Sequence, residues 1–396
     1  MKKIFLYSLL IFSSLSAWAR PEYAARARVT RCTACHVSPG GGSLRNSYGK
    51  LYGARGFKQS QFAKQDLISA DARMLYFKPE DHHSQNGGLF MMTGIVGANV
   101  PINEADESSP ELRLVLSHNV ASSSPSPWDN YLRIKRFDDT EVKWSPQYIT
   151  VGRFHTPFGV VHDEHRTYTR MQTASEWNKH LEGGLMLSGD PLESLHYDLA
   201  AVNGKNTGAN YSAGQATLWG ALLNMRWTSP YSWLPLVLGA SGKHYDKEAG
   251  KKNPWATSFY TILPFDRIAG GFVKGSLMIE QAQARYLNDD FTTSFVSNAA
   301  LQTSVAQSES IGQLYQLDFQ VTPKLFLQFK YDRLALDKDF TGDAFERTGF
   351  GIKHFMAANT FFTLRHETAS VGASEDPNGS ARGANDLFFM MFQTGL

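Results

Sequence analysis

Tyr315-Gln316-Leu317-Asp318-Phe319-Gln320-Val321-Thr322 alternates apolar and polar side chains without interruption. Successive side chains of a β-strand point to opposite faces, so this stretch predicts a strand with one apolar face and one polar face. The same alternation returns in residues 325–332, 195–199 and 112–117. The two faces of the predicted sheet therefore meet different surroundings.

Strand-like segments extend from about Asp71 to the end of the chain. Clusters of Pro, Gly, Asn and Asp separate them at residues 122–127, 246–254, 288–290 and 375–379. At about 20 residues per strand and connection, this region predicts roughly 16 strands, as in outer-membrane barrels. The predicted fold is all-β, a transmembrane antiparallel β-barrel. The alternative, a soluble secreted β-sandwich, would exceed the usual size of one core.

Two further features favour the membrane barrel. Aromatic side chains near strand ends suit interfacial girdles, namely Trp128, Trp144, Trp227, Trp233, Trp255 and Phe361. The last segment places Phe388, Met390, Phe392 and Leu396 on one face. It resembles the C-terminal insertion signal of outer-membrane barrels, although that signal usually ends on Phe or Trp.

The N-terminus has the form of a secretory signal peptide. Lys2 and Lys3 precede an apolar stretch over residues 4–15, and Ala17-Trp18-Ala19 has the small-x-small form of a cleavage site. The apolar stretch is shorter than the roughly 20 residues of a membrane-spanning helix. We therefore predict a signal peptide over residues 1–19 and localisation to the outer membrane of a Gram-negative bacterium. The net charge of +2 gives no reason to expect a nucleic-acid partner.

The only two cysteines of the chain lie in Cys32-Thr33-Ala34-Cys35-His36. This spacing is typical of c-type haem attachment, in which two thiols bind the vinyl groups of one haem and the adjacent imidazole binds the iron. A redox dithiol, a zinc site and a structural disulfide remain as alternatives. Export, position near the N-terminus and the use of every thiol favour one haem c held by Cys32, Cys35 and His36.

The predicted domains are the signal peptide 1–19, a monohaem cytochrome c-like segment 20–70 and the barrel 71–396. A segment as short as residues 20–70 cannot enclose a haem without outside support. An aqueous barrel lumen with polar walls can provide that enclosure. We therefore expect the haem segment to lie inside the barrel.

The chain resembles the outer-membrane fused monohaem cytochrome c–porin proteins, whose best-known members oxidise ferrous iron. The resemblance rests on residues 21–26, Cys32 to His36, Pro39, Tyr48-Gly49-Lys50 and Gly56-Phe57. The triple glycine at residues 40–42 departs from the bulkier residues usual there. The resemblance implies electron transfer through the outer membrane, with extracellular iron as a candidate donor and periplasmic c-type cytochromes or other soluble carriers as partners. Residues 152–159 also resemble, weakly, an element of anion-type porins.

The distal haem ligand is left open by the sequence. Methionine raises the reduction potential relative to a second imidazole. The candidates are Met74 and Met91 for a thioether and His82 and His83 for an imidazole. Met92 is a further thioether candidate, and His155, His162 and His165 are further imidazole candidates; the sequence does not choose among them.

A second cluster of metal-ligand chemistry lies at His162-Asp163-Glu164-His165. All four side chains converge only if the segment turns, which Pro157 and Gly159 permit. The cluster is either a solvated loop or a site that gathers ferrous iron or another cation beside the haem.

The polar faces of the strands predict a charged lumen. Its members are Arg113, Arg133, Lys135, Arg153, Arg166, Arg170, Lys330, Asp318, Asp332 and Glu367. The sequence is also compatible with a diffusion porin in which the haem peptide is a plug or a redox sensor.

Overall fold

Sixteen antiparallel strands close into one barrel. The computed structural model describes residues 29–40, 44–45, 49, 67–79, 88–103, 110–121, 126–136, 144–160, 167–175, 181–203, 219–231, 233–246, 253–265, 274–285, 308–322, 324–339, 344–357, 360–370 and 386–395. The prediction of an all-β, 16-strand antiparallel barrel is confirmed.

Each strand pairs with its neighbours in the chain, and β1 pairs with β16 to close the ring. The strands are β1 (Ile68–Pro79), β2 (Gly88–Asn103), β3 (Glu111–Asn119), β4 (Ser126–Lys135), β5 (Tyr148–His155), β6 (Leu181–Leu192), β7 (Leu195–Asn203), β8 (Trp219–Thr228), β9 (Val237–Tyr245), β10 (Trp255–Pro264), β11 (Gly275–Arg285), β12 (Ser310–Gln320), β13 (Leu325–Ala335), β14 (Phe345–Ala357), β15 (Thr360–Ser370) and β16 (Leu387–Gly395). The first strand begins at Ile68, slightly before the predicted boundary at Asp71. Closure leaves no free sheet edge, which is the condition for a sheet in lipid.

The alternation in the sequence separates the outer face of the barrel from the lumen. On β12, Leu317 and Phe319 are exposed on the outside, whereas the intervening Asp318 is buried on the inside. The same division gives most strands an apolar outer face, which includes Leu89, Leu116, Val151, Leu185, Leu199, Leu223, Leu238, Phe259, Phe329, Phe350 and Met390. A closed barrel with this exterior is a membrane-spanning barrel, and its location is the outer membrane.

The connections between strands divide by length between the two ends of the barrel. Residues 156–180, 204–218, 286–309 and 371–386 connect strands at one end, and the short connections 193–194 and 358–359 lie at the other. Outer-membrane barrels have long extracellular loops and short periplasmic turns, so the second end is the periplasmic one. The first residue of β1 lies at that periplasmic end.

Two of the aromatic residues expected in interfacial girdles lie inside the barrel. Trp128 is buried beside His155, with their ring centroids 4.9 Å apart. Phe361 is also buried, and the Lys353 ammonium lies 3.8 Å from its ring centroid. Trp144 and Trp233 are exposed as expected. An aromatic residue near a strand end does not have to face the membrane. Its direction depends on its position in the strand, since successive side chains point to opposite faces of the sheet.

A short helix, α1 (Tyr168–Gln172), lies in the connection between β5 and β6. No helix in the described part of the chain is long and apolar enough to cross a bilayer.

Candidate cofactor site in the barrel lumen

Residues 29–40, here called the plug segment, contact the inner wall of the barrel. At its beginning, the Thr30 hydroxyl donates a hydrogen bond to Asp190 of β6 over 3.3 Å. The Arg31 guanidinium forms an ion pair with the same carboxylate over 3.2 Å and donates to the Tyr148 hydroxyl. Tyr148 begins β5 and Asp190 lies near the end of β6, so this anchor is at the periplasmic end.

A second anchor holds the other end of the plug segment. The Tyr131 hydroxyl donates to the Val37 carbonyl oxygen, and the Ser38 hydroxyl donates to Asp129 over 3.4 Å. Asp129 also accepts the His155 backbone N–H over 3.0 Å and contacts the His155 imidazole over 3.1 Å.

The last residue of the segment lies against the end of β5. A Cβ atom at Gly40 would lie 3.0 Å from the His155 carbonyl oxygen. The segment therefore runs along β5 from Tyr148 to His155, a length of roughly 25 Å at 3.3 Å per residue.

The motif residues share one turn of this segment. Cys32–Ala34 form a 3-10 turn, and the N–H groups of Cys35 and His36 donate to the Cys32 carbonyl oxygen over 3.2 and 3.0 Å. Both thiols are free and partly exposed. Burial raises the pKa of the Cys35 thiol to about 11, against the opposing charge of Arg45. Two free thiols and an imidazole on one turn are the donor set that c-type haem requires, so these residues fit that group.

A cavity adjoins Cys32 between the plug segment and the wall. It is small, with room for about one water molecule, and it is partly open to the lumen. Its walls are Cys32, Thr33, Pro39, Arg133, Tyr148, Thr150, Met186, Ser188, His196 and Asp198. The Arg133 guanidinium donates to the Thr33 hydroxyl over 3.4 Å, which ties the motif itself to β4.

One wall of the cavity is a carboxylate–imidazole network. The His196 ring lies 2.7 Å from Asp190 through Nδ1 and 3.1 Å from Asp198 through Nε2. Asp198 accepts further hydrogen bonds from Ser188 over 2.7 Å and Asn224 over 3.0 Å. Both ring nitrogens of His196 are therefore engaged, and Asp190 joins this network to the periplasmic anchor of the plug segment.

The connection after β5 enters the lumen from the other side. Gly159, with φ +56°, adopts a left-handed conformation that glycine allows, and its N–H donates to Ser241 over 2.9 Å. The Tyr168 N–H then donates to both Asp332 oxygens over 3.2 and 3.1 Å. The Thr169 hydroxyl donates to Glu280 over 2.9 Å. Residues 156–160 and 167–175 are thus fixed to β9, β11 and β13, on the wall away from the plug segment's anchors.

Two arginines, Arg170 and Arg226, lie where the plug segment approaches the connection after β5. Arg170 is buried, and burial lowers the pKa of its guanidinium; Glu280, Cys32 and Arg226 are close enough to act on it. Arg226 donates to the Tyr260 hydroxyl over 2.9 Å and also interacts with the Cys32 side chain. Cys32 therefore lies in a positively charged part of the lumen.

Most of the predicted luminal charges within the described residues face inward, but Arg153 does not, because on β5 it shares the strand parity of the exposed Val151. They form local pairs: Arg347 lies 2.6 Å from Asp332, Lys330 lies 3.5 Å from the same carboxylate, and Arg365 lies 2.7 Å from Glu367. Arg166 lies outside the described residues. Pairing of this kind braces the wall because buried carboxylates and cations neutralise one another.

The candidate distal ligands divide into two groups. Met74 and Met91 are paired across β1 and β2 and are exposed on the outer face, so they cannot reach a group in the lumen; this removes both as candidates. His82 and His83 lie outside the described residues, as do His162, Asp163, Glu164 and His165. Among the residues that are described, no group of three or more His, Cys, Asp or Glu side chains is arranged to hold a metal ion.

Sequence reasoning missed Met186, His196 and Arg226. His196 was recognisable, because it is one of the two polar members, with Asp198, of the alternating run 195–199. Met186 gave no such signal, since it lies between Leu185 and Leu187 in an uninterrupted apolar stretch. Only the register of β6 turns Met186 to the inside.

Comparison with solved structures identifies the barrel as porin-like. OmpF of Salmonella typhi, solved in complex with daunomycin, is similar with a TM-score of 0.58 at 11% identity, over 83% of this chain and 97% of that one. OprB of Pseudomonas putida at high pH gives a TM-score of 0.58 at 8% identity, over 83% and 93%. The outer-membrane channel DcaP of Acinetobacter baumannii gives 0.56 at 9% identity, over 83% and 96%.

No family model and no curated protein sequence matches the chain. At these identities the likeness to solved structures concerns the fold alone. The chain is thus a porin-like outer-membrane β-barrel with a cysteine- and histidine-bearing segment in its lumen.

Proposed function

We propose that the protein is an outer-membrane electron-transfer protein that carries one covalent haem c on the plug segment. The observation that carries this proposal is the position of Cys32, Cys35 and His36 on a single turn within a closed membrane barrel. In this assignment Cys32 and Cys35 bind the vinyl groups and His36 is the proximal ligand. A bound haem supplies one-electron transfer at its iron.

The residues of the chain hold this segment in place. Asp190 and Tyr148 fix its periplasmic end, and Asp129 and Tyr131 fix its other end. Fixed positions at both ends favour electron transfer, because they keep the cofactor-bearing turn in one orientation inside the insulating lipid layer. The barrel wall, with its apolar outer face, separates the plug segment from lipid.

A soluble partner is needed on the periplasmic side. The hydrocarbon layer is roughly 30 Å thick, and one haem cannot reach both of its surfaces. The plug segment begins at the periplasmic rim, which makes a periplasmic c-type cytochrome or another soluble carrier the natural partner. Extracellular ferrous iron as electron donor rests on the resemblance at residues 21–57.

Two measurements on the purified protein test this proposal. Peroxidase staining of the denatured chain, produced in a host competent for cytochrome maturation, is expected to reveal covalent haem, and Cys32→Ala with Cys35→Ala is the matched negative control. Stopped-flow mixing of the oxidised protein with ferrous iron then reports reduction at the haem band. A blank stain would refute the proposal, whereas stained protein that iron does not reduce would remove only iron as donor.

A diffusion porin is the second candidate, favoured by the porin-like fold and the charged lumen. Single-channel conductance in planar bilayers distinguishes a diffusion porin from an electron-transfer protein with an occupied lumen. A lumen that holds the plug segment together with residues 156–160 and 167–175 is expected to conduct little, and a large steady conductance of the haem-loaded protein would favour the porin.

A further inference from the structure

We infer that Arg226 raises the reduction potential of the haem by placing a fixed positive charge beside the attachment site at Cys32. This inference rests on the proposed function and names a residue that favours the ferrous form. It requires no particular orientation of the porphyrin, because the covalent bond to the Cys32 sulfur itself keeps the haem beside that position. The ligands of the iron are unchanged, and only the energy of the added electron differs.

Strand pairing brings Arg226 to the part of the wall that Cys32 contacts. Arg226 lies on the luminal face of β8, which it shares with the buried Asn224. Directly opposite Arg226 on β7 is His196, which lines the cavity beside Cys32. Side chains that are directly opposite on one face of paired strands have Cβ atoms about 5 Å apart. The register of β7 and β8 therefore places the guanidinium next to the plug segment.

Tyr260 of β10 holds the Arg226 guanidinium in this position. The Nε–H of Arg226 donates to the Tyr260 hydroxyl over 2.9 Å. The residue opposite both side chains on the intervening strand β9 is Gly239, where a Cβ atom would collide with the tyrosine ring. The glycine thus leaves the space through which Tyr260 reaches across β9. The guanidinium also interacts with the Cys32 side chain.

The charge of Arg226 has no direct counter-charge among the described residues. Its partners there are a tyrosine hydroxyl and the Cys32 sulfur, which is an uncharged thioether once haem is attached. Arg170 adds a second positive charge close to Cys32, and its Nε and Nη2 are buried without a hydrogen-bond partner in the described part of the chain. Glu280 offsets Arg170 in part.

The carboxylate on the cavity wall is engaged elsewhere. Asp198 accepts from Ser188 over 2.7 Å and from Asn224 over 3.0 Å, and it lies 3.1 Å from the His196 ring. The wall beside Cys32 therefore binds its own carboxylate through β6, β7 and β8, whereas the Arg226 guanidinium is directed at the motif.

A fixed positive charge at this place favours the reduced haem. When ferric iron takes up one electron, the haem becomes less positive by one unit of charge, and its repulsion from Arg226 decreases. For a unit charge roughly 10 Å from the iron, at an effective dielectric constant of about 20, the ferrous–ferric equilibrium shifts about tenfold. For a one-electron couple, a tenfold change corresponds to about 59 mV. Arg226 therefore makes the haem a better electron acceptor.

The test compares Arg226→Gln, Arg226→Lys and Arg365→Gln with wild type in the full-length, haem-loaded protein. Glutamine removes the charge and can still donate to the Tyr260 hydroxyl, whereas lysine keeps the charge. Arg365 is the matched control, because it is also luminal but is paired with Glu367 of the same strand over 2.7 Å. Spectroelectrochemical titration measures the reduction potential, and the optical spectrum reports the ligands of the iron. Heat-modifiable migration on gels verifies that each barrel is folded.

Arg226→Gln is expected to shift the equilibrium about tenfold toward ferric haem, while Arg226→Lys and Arg365→Gln stay within about threefold of wild type. A folded, haem-stained Arg226→Gln variant with the wild-type potential would overturn the inference. An equal loss in Arg226→Lys or Arg365→Gln would also overturn it, as would altered iron ligation in Arg226→Gln. A blank haem stain in wild type would overturn this inference together with the proposed function.

Discussion

Replacement of Asp190 with asparagine is expected to loosen the periplasmic anchor of the plug segment. Asp190 accepts from Thr30 over 3.3 Å and pairs with Arg31 over 3.2 Å. The side chains of Arg31 and Asp190 are 33% and 19% exposed, so solvent screens the pair and its worth is about 1 kcal/mol. The bond from the Thr30 hydroxyl to a charged acceptor adds about 1 kcal/mol, of which an amide oxygen retains part.

The docked state should therefore lose about 1–2 kcal/mol, which raises the undocked population by a factor of about 5–30. Hydrogen–deuterium exchange of the full-length protein in detergent measures this population through the Val37 N–H, which donates to the Leu44 carbonyl oxygen over 3.0 Å. Exchange in the peptide that contains Val37 should accelerate by that factor, with little change in peptides from β11 to β14.

Asp318→Asn is the matched control for this experiment. Asp318 is also a luminal carboxylate, but it accepts hydrogen bonds from Gln316 and Gln328 of the wall, each over 2.8 Å. Exchange at Val37 should be unchanged in this variant. The reasoning fails if Asp190→Asn leaves the exchange rate at its wild-type value, or if Asp318→Asn accelerates it equally.

Three further predictions concern the wall, the thiols and the histidine cluster. Arg347→Ala leaves the fully buried Asp332 with Lys330 as its remaining ion-pair partner among the described residues and should lower the free energy of unfolding by about 3 kcal/mol, measured by urea titration; a loss below about 1 kcal/mol would contradict this. In haem-free protein, a Cys35 pKa of about 11 instead of 9.0 makes its thiolate fraction at neutral pH roughly a hundredth of the ordinary value. Iodoacetamide should therefore modify Cys35 slowly, and rapid modification at neutral pH would refute the raised pKa. If His162 and His165 gather iron, their double replacement by alanine should slow reduction of the haem by ferrous iron, and unchanged stopped-flow kinetics would exclude them.

The fold was predictable because a membrane barrel places its two faces in different solvents. The alternation in residues 315–322 determines which side chains of β12 face lipid, and the same rule holds for β7 and β13. The aromatic residues were less predictable. Trp128 and Phe361 lie near strand ends in the sequence, yet their parity and local packing direct them inward.

Only the part of the candidate site that is contiguous in the sequence could be predicted. The motif Cys32 to His36 is contiguous, so the sequence contains its whole donor set. Its surroundings depend on contacts over more than a hundred residues, such as Arg31 with Asp190 and Tyr131 with Val37. No spacing rule in the sequence links such positions, because closure of the barrel brings them together. For the same reason Met74 and Met91 were plausible ligands until the register of β1 and β2 turned them outward.

The porin-like wall alone does not distinguish a channel from an electron conduit, because charged luminal faces serve both. The difference lies in what the wall side chains bind. Asp129, Tyr131, Tyr148 and Asp190 direct their polar atoms at the plug segment, so these groups are not available to a passing solute. The wall from β9 to β13 likewise holds residues 156–160 and 167–175 through Ser241, Glu280 and Asp332. That the barrel uses both sides of its inner surface to fix its own chain is the feature that favours the proposed electron-transfer function over a diffusion porin.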